Sequence, residues 1–130
     1  MESLKYFRCI GDIVGENPEK ARKMIDLREK IKAHARTLEA LENTEKPSNN
    51  GYKIMAVAIG KNGDLIALGG GIMTYAVGVG LKTFEDDEGT TQFFWDYGKY
   101  YFEYNEAYEV FKTYIDCSEG LEKRLVWTNN

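Results

Sequence analysis

The side chains capable of covalent or metal chemistry are few in this 130-residue chain. Its cysteines are Cys9 and Cys117, and its one histidine is His34. Two thiols and one imidazole cannot complete a four-ligand structural zinc site, and their spacing gives no disulfide framework. A Cys9–His34 dyad would supply an activated thiolate, but His34 recurs in register with apolar residues, which marks it as a packed or interfacial histidine. The three serines, Ser3, Ser48 and Ser118, stand outside any nucleophile-elbow pattern. No G-x-x-x-x-G-K-[ST] loop and no G-x-G-x-x-G at a strand-to-helix junction is present. The Gly78-Val79-Gly80 triplet sits inside an extended run, where glycines mark a bulge or a close backbone approach. "EDDE" at 85–88 lacks the alternating ligands of a calcium loop. The expectation is a non-enzymatic protein with no cofactor and no metal.

Charge is more informative. The chain carries a net −4, unevenly spread: residues 82–122 hold eleven acidic and three basic side chains, and residues 16–46 hold seven acidic and eight basic. Glu85, Asp86, Asp87 and Glu88 lie in a turn between two extended runs, with Asp96 and Glu103 further along. Exposed carboxylates at that density steer a protein toward a basic partner. Arg28, Lys32 and Arg36, four residues apart, form a basic stripe on a helix. The net negative charge opposes direct nucleic-acid binding through that stripe.

The segment "TTQFFWDYGKYYFEYNEAYEVFKTY", residues 90–114, contains eleven of the seventeen aromatic residues. Single-strand nucleic-acid binders combine stacking rings with a positive groove. Residues 90–116 offer only Lys99 and Lys112 against Asp96, Glu103, Glu106, Glu109 and Asp116, so counterion release would not drive such binding. Core packing accounts for most of the rings. In strand parity Phe93, Trp95 and Tyr97 share one face, and Tyr100, Phe102 and Tyr104 share another. Gly78 and Gly80 leave shallow sites where rings can lie flat. As the alternative to core packing, Trp95, Tyr97 and Tyr100 would line a small-molecule or nucleotide pocket between sheet and helix.

The elements that position these groups follow from period. Asn17-Pro18 reads as a helix start, and no glycine or proline follows until after Asn43. Met24, Leu27, Ile31, His34, Leu38 and Leu41 recur at alternating spacings of 3 and 4, a heptad seam. A helix of about 26 residues, roughly 39 Å long, outruns a small domain, so it must either lie along a sheet or pair with a copy of itself, and the seam is expected to form a dimer interface. "NTEKPSNNG" at 43–51 reads as a break and linker. From residue 52 the period becomes two. Asn62-Gly63 marks a hairpin, "IMTYAVGVGLKTF" reads as one strand, and Gly98 separates "TTQFFWDY" from "KYYFEY". A helix capped by Asn105 places Ala107, Val110, Phe111, Tyr114 and Ile115 inward. "KRLVWT" supplies a last strand.

The expected fold is α+β in one domain. It has a helical segment over 1–46, a linker at 47–51, and over 52–130 an antiparallel meander of four or five strands with a C-terminal helix packed on the sheet. The uncharged run Leu65–Leu81 spans 17 residues and contains five glycines, short of the roughly 20 apolar residues of a membrane helix. With Glu2 early and no long apolar stretch at the start, the chain is expected to be cytoplasmic. The functional expectation is a stoichiometric protein-binding inhibitor that occupies a basic, nucleic-acid-binding surface of a larger protein. In size and acidity the chain resembles small phage-encoded inhibitors of host proteins, anti-CRISPR proteins among them. No motif carries that likeness.

Overall fold

The computed structural model describes residues 28–115 and 124–129, and the backbone of residues 4–5. Among these residues the architecture is α+β and antiparallel, with more strands than the four or five expected. The seven-stranded sheet comprises β1 (Leu4–Lys5), β2 (Ser48–Asn49), β3 (Tyr52–Ile59), β4 (Leu65–Gly70), β5 (Tyr75–Val79), β8 (Tyr97–Tyr101) and β9 (Leu125–Asn129). Its order is β1-β9-β3-β4-β5-β8, with β2 paired to the start of β3. β6 (Lys82–Glu85) and β7 (Thr91–Phe94) form a separate two-stranded hairpin. Two helices lie wholly within the described residues, α1 (Ala35–Asn43) and α2 (Tyr104–Ile115).

The meander β3-β4-β5 follows the expected alternation, but two runs break where the sequence reads as continuous. "IMTYAVGVGLKTF" is interrupted at Gly80, whose φ of +81° favours glycine, and β6 leaves the main sheet there. "TTQFFWDY" is interrupted at Trp95-Asp96, after which the chain rejoins the sheet as β8. Gly98, expected to separate two runs, lies inside β8 opposite Gly78. The segment 43–51 is more than a linker. Asn50 and Gly51, at φ +50° and +86°, make the tight two-residue turn that Asn-Gly favours and pair Asn49 with Tyr52. The Asn62-Gly63 hairpin forms as expected, as a wider loop closed by the Gly60 amide donating to the Asp64 carbonyl (2.7 Å).

Two register shifts in β3, one toward β4 and one toward β9, let residues of opposite parity, Ile54 and Val57, serve the same face. Ile54, Val57 and Ile59 join Leu65, Ala67, Val126 and Trp127 in one core, closed by Leu38 and Leu41 of α1 and by Phe93 and Trp95. Ile66, Leu68, Val77, Val79 and Leu125 form the second core under Ala107, Phe111 and Ile115 of α2. The inward stripe of α2 is as expected, with Val110 and Tyr114 partly buried at its margins. Both faces of the sheet are covered, where one was expected.

The helix carrying the seam is not continuous. Residues 28–33 are helical, His34 is a turn, and α1 starts at Ala35. The His34 ring donates from Nε2 to the Gly63 carbonyl at 2.6 Å, tying this point to the β3–β4 loop. His34 has φ −107° and ψ 15°, and its amide donates to Ile31, three residues back. Met24 and Leu27 lie outside the described residues. Of the rest of the seam, Leu38 and Leu41 are fully buried in the chain's own core and Ile31 packs against it. A dimer seam needs apolar residues that the domain leaves uncovered, and here the domain covers Ile31, Leu38 and Leu41 itself. α2 begins at Tyr104, so Asn105 lies in its first turn, and the Ala107 amide donates to the Glu103 carbonyl (3.2 Å).

Candidate functional site: the acidic hairpin and its groove

The β6–β7 hairpin is built around its turn. Asp86 Oδ1 accepts from the amides of Glu88 and Thr90, both at 2.9 Å, and Oδ2 accepts from the Gln92 side-chain amide at 3.1 Å. Aspartate in this role ties its own backbone into a turn. Hydrogen bonds from the Thr90 amide, then the Gln92 side chain and the Glu88 amide, hold its carboxyl below the usual aspartate range. Gly89, at φ +78°, completes the turn. Asp86 therefore serves the fold, while Glu85, Asp87 and Glu88 are exposed.

Asp96 lies where the hairpin returns to the sheet. Its carboxylate pairs with Lys82 at 2.6 Å and covers Gly80, where an added Cβ would collide with it. Glu103 is exposed just before α2, on the chain leaving β8. The structure thus groups Glu85 to Glu88 at one turn, puts Asp96 at the same hairpin's base, and leaves Glu103 apart.

Beside the hairpin runs a groove of about 340 Å³ between α1 and β6. Glu39 and Ala40 line it from the helix, Phe84 and Glu85 from the strand, with Arg36 and Asn43 along its length. Phe84 is 47% exposed and meets Phe94 edge-on, with ring centroids 5.6 Å apart. Phe94 alternates with the inward Phe93 on β7, and the register that sets Phe84 opposite Gln92 puts Phe84 on the same outward face.

Of Trp95, Tyr97 and Tyr100, the first and last are brought together, both over Gly98 and against Tyr52, and Tyr97 is apart from them. Trp95 is buried in the α1-side core, and Tyr100 lies on that same face against Tyr52 at 5.3 Å. Tyr97 lies on the opposite face, its hydroxyl 3.4 Å from that of Tyr114. Lys99 stands over the Tyr114 ring, 5.8 Å from its centroid. The Tyr97 hydroxyl and the Lys99 ammonium together lower the Tyr114 pKa, and the same phenol pair raises that of Tyr97.

The aromatic segment is less buried than core packing required. Phe93, Trp95 and Phe111 are buried, whereas Phe94, Tyr97, Tyr100, Phe102 and Tyr104 are exposed. Ile72 and Met73, at the β4–β5 turn, are also exposed. The run read as one strand from Ile72 starts as β5 only at Tyr75, because the chain turns over 71–74.

Of the thiol–imidazole dyad, Cys9 lies outside the described residues and His34 is engaged with Gly63. The basic stripe is interrupted by the turn at His34, which falls between Lys32 and Arg36. Among the described residues no cluster of three His, Cys, Asp or Glu side chains could hold a metal ion, and no helix is long and apolar enough to cross a membrane. No protein-family model matches the chain, and no match was found among curated proteins or solved structures.

Proposed function

We propose that this protein is a non-enzymatic binder that covers a basic, nucleic-acid-binding surface of a larger protein through its acidic hairpin, acting as a stoichiometric inhibitor. The observation that carries the reading is the division of labour at the turn. Asp86 alone holds the backbone, leaving Glu85, Asp87 and Glu88 exposed with no ion pair among the described residues. Three like charges this close repel one another, and their field raises the rate of encounter with a basic surface. The exposed Phe84–Phe94 pair beside them supplies apolar contact area of the kind enriched at interfaces.

The test is capture on the immobilised full chain, followed by titration of the captured protein's nucleic-acid binding. Inhibition should saturate at one chain per partner site and weaken as salt rises. Capture of no basic protein at low salt, or capture without loss of nucleic-acid binding, overturns the reading.

A further inference from the structure

We propose that Asn50 is a site of spontaneous covalent modification: its side chain closes onto the Gly51 amide as a succinimide, which opens to aspartate or isoaspartate. The chain has a second Asn-Gly pair, Asn62-Gly63, and the fold exposes the first while protecting the other. In this reaction the glycine amide loses its proton to a solvent base, and its nitrogen attacks the asparagine Cγ. The Cγ–Nδ2 bond then breaks, and the leaving nitrogen takes a proton from water and departs as ammonia. Water opens the ring at one carbonyl to give aspartate, or at the other to give isoaspartate, whose main chain runs through Cβ. Glycine, having no Cβ, leaves this attack unobstructed.

In a folded chain the attacking amide must be free, and the backbone must leave its native dihedrals by local opening. Gly51 meets both conditions. Asn50 and Gly51 are exposed, and among the described residues the Gly51 amide donates to no backbone acceptor. A Cβ built on Gly51 would meet no atom within 4 Å, so the peptide has room to turn. The turn is closed by β2, which is two residues long and lies off the main strand path. So short a pairing opens at little cost.

Gly63 meets neither condition. Its amide donates to the Gly60 carbonyl at 3.0 Å, and its own carbonyl accepts from His34 at 2.6 Å. The Gly60 amide donates to the Asp64 carbonyl at 2.7 Å, and the Lys61 amide to the Tyr114 carbonyl at 2.9 Å. The loop over 60–64 is thus tied to itself, to His34 and to α2, and these bonds must break before Asn62 can react.

The product matters to the fold. Isoaspartate lengthens the backbone of a tight turn that sets Ser48 opposite Lys53 and Asn49 opposite Tyr52, so the isoaspartyl form loses β2. The change stops at the Ile54 amide, which donates to the Pro47 carbonyl at 2.9 Å.

The experiment ages the full chain at mildly alkaline pH, folded and in denaturant, and follows both asparagines by peptide-mapping mass spectrometry. In denaturant the two should convert at similar rates. In the folded chain Asn50 should convert at least about tenfold faster than Asn62. His34→Ala should raise the Asn62 rate about fivefold, as expected for one lost hydrogen bond, and leave Asn50 unchanged. An amide spectrum unchanged away from the 60–64 loop confirms that variant's fold, and if it misfolds the wild-type comparison decides. The purified isoaspartyl form should show displaced amide resonances over 48–53 and unmoved ones from Ile54 onward. A smaller ratio in the folded chain, or one that the denatured chain reproduces, overturns the inference. So does an Asn62 rate indifferent to His34→Ala in a folded variant, or an isoaspartyl form that keeps its parent's resonances over 48–53.

Discussion

The indole of Trp95 lies flat across Gly78, so close that a Cβ at Gly78 would fall inside the ring's own volume. Gly98, paired with Gly78 on the neighbouring strand, continues this floor: a Cβ there would meet Trp95 Nε1 at 2.7 Å. The two glycines let a large ring leave the hairpin and enter the core sideways. Gly78→Val should therefore cost at least the 1–3 kcal/mol typical of overpacking, measured by denaturant unfolding. A midpoint at or above the wild-type value would show that the indole can lift away freely.

Gly80 is constrained differently. It was expected to seat a ring, but it faces the Asp96 carboxylate and has φ +81°. Gly80→Ala should destabilise by roughly 1–3 kcal/mol, from backbone strain together with the collision. Asp96→Ala removes the collision and leaves the strain, so the loss should be partly relieved in the double variant. Strict additivity of the two substitutions would place the whole cost in the backbone.

These glycines show how far the sequence was legible. Period two and the large–small alternation located β3, β4 and β5 and flagged Gly78 as a floor for a ring, because alternation is a local property of a strand. Which ring would cover it depended on the break at Trp95-Asp96, where the chain leaves one sheet for another. Nothing in the periodicity records such a change of partner. The heptad seam was real as a pattern, but Leu38 and Leu41 meet the chain's own sheet, because a stripe of apolar residues does not specify what covers it. At the hairpin, the acidic run and its turn were readable. The separate role of Asp86 depends on Thr90 and Gln92 closing around it, and the groove depends on α1 lying beside β6.

Asp86 makes the hairpin acid-sensitive. Its pKa in the folded chain is below the ordinary aspartate value of about 3.9, because the amides of Thr90 and Glu88 and the Gln92 side chain stabilise the charged form. A lowered folded pKa adds stability that is complete above the ordinary value and is lost as pH falls through the folded one. The melting-temperature gap between wild type and Asp86→Ala should therefore be constant near neutrality and narrow below about pH 4. A gap independent of pH down to 2 would mean that the carboxylate's charge contributes nothing.

The phenol pair on the α2 face should titrate in a set order. Tyr114 accepts from Tyr97 and lies near Lys99, so it should deprotonate before Tyr97. Lys99→Met should move the Tyr114 titration upward, as should Tyr97→Phe, which removes the donor. Absorbance titration of single-tyrosine replacements reads this directly. A Tyr114 curve indifferent to both changes would show that the three groups do not interact in solution.

The acidic turn allows stability and binding to be separated residue by residue. Glu85, Asp87 and Glu88 project from the hairpin, so reversing these three to Lys exchanges repulsion among carboxylates for repulsion among ammoniums and leaves the turn's hydrogen bonds untouched. The melting temperature should stay within about 3 °C of wild type. Extending the reversal to Asp86 removes the acceptor for Glu88, Thr90 and Gln92, and the melting temperature should then fall clearly. Partner capture should already be lost in the triple variant. Wild-type capture should decline as added salt shortens screening from about 8 Å at 0.15 M toward 3 Å at 1 M. A triple variant that melts normally yet captures its partner at wild-type strength would reduce the three carboxylates to a solvated turn, and the binding surface would have to be sought elsewhere on the chain.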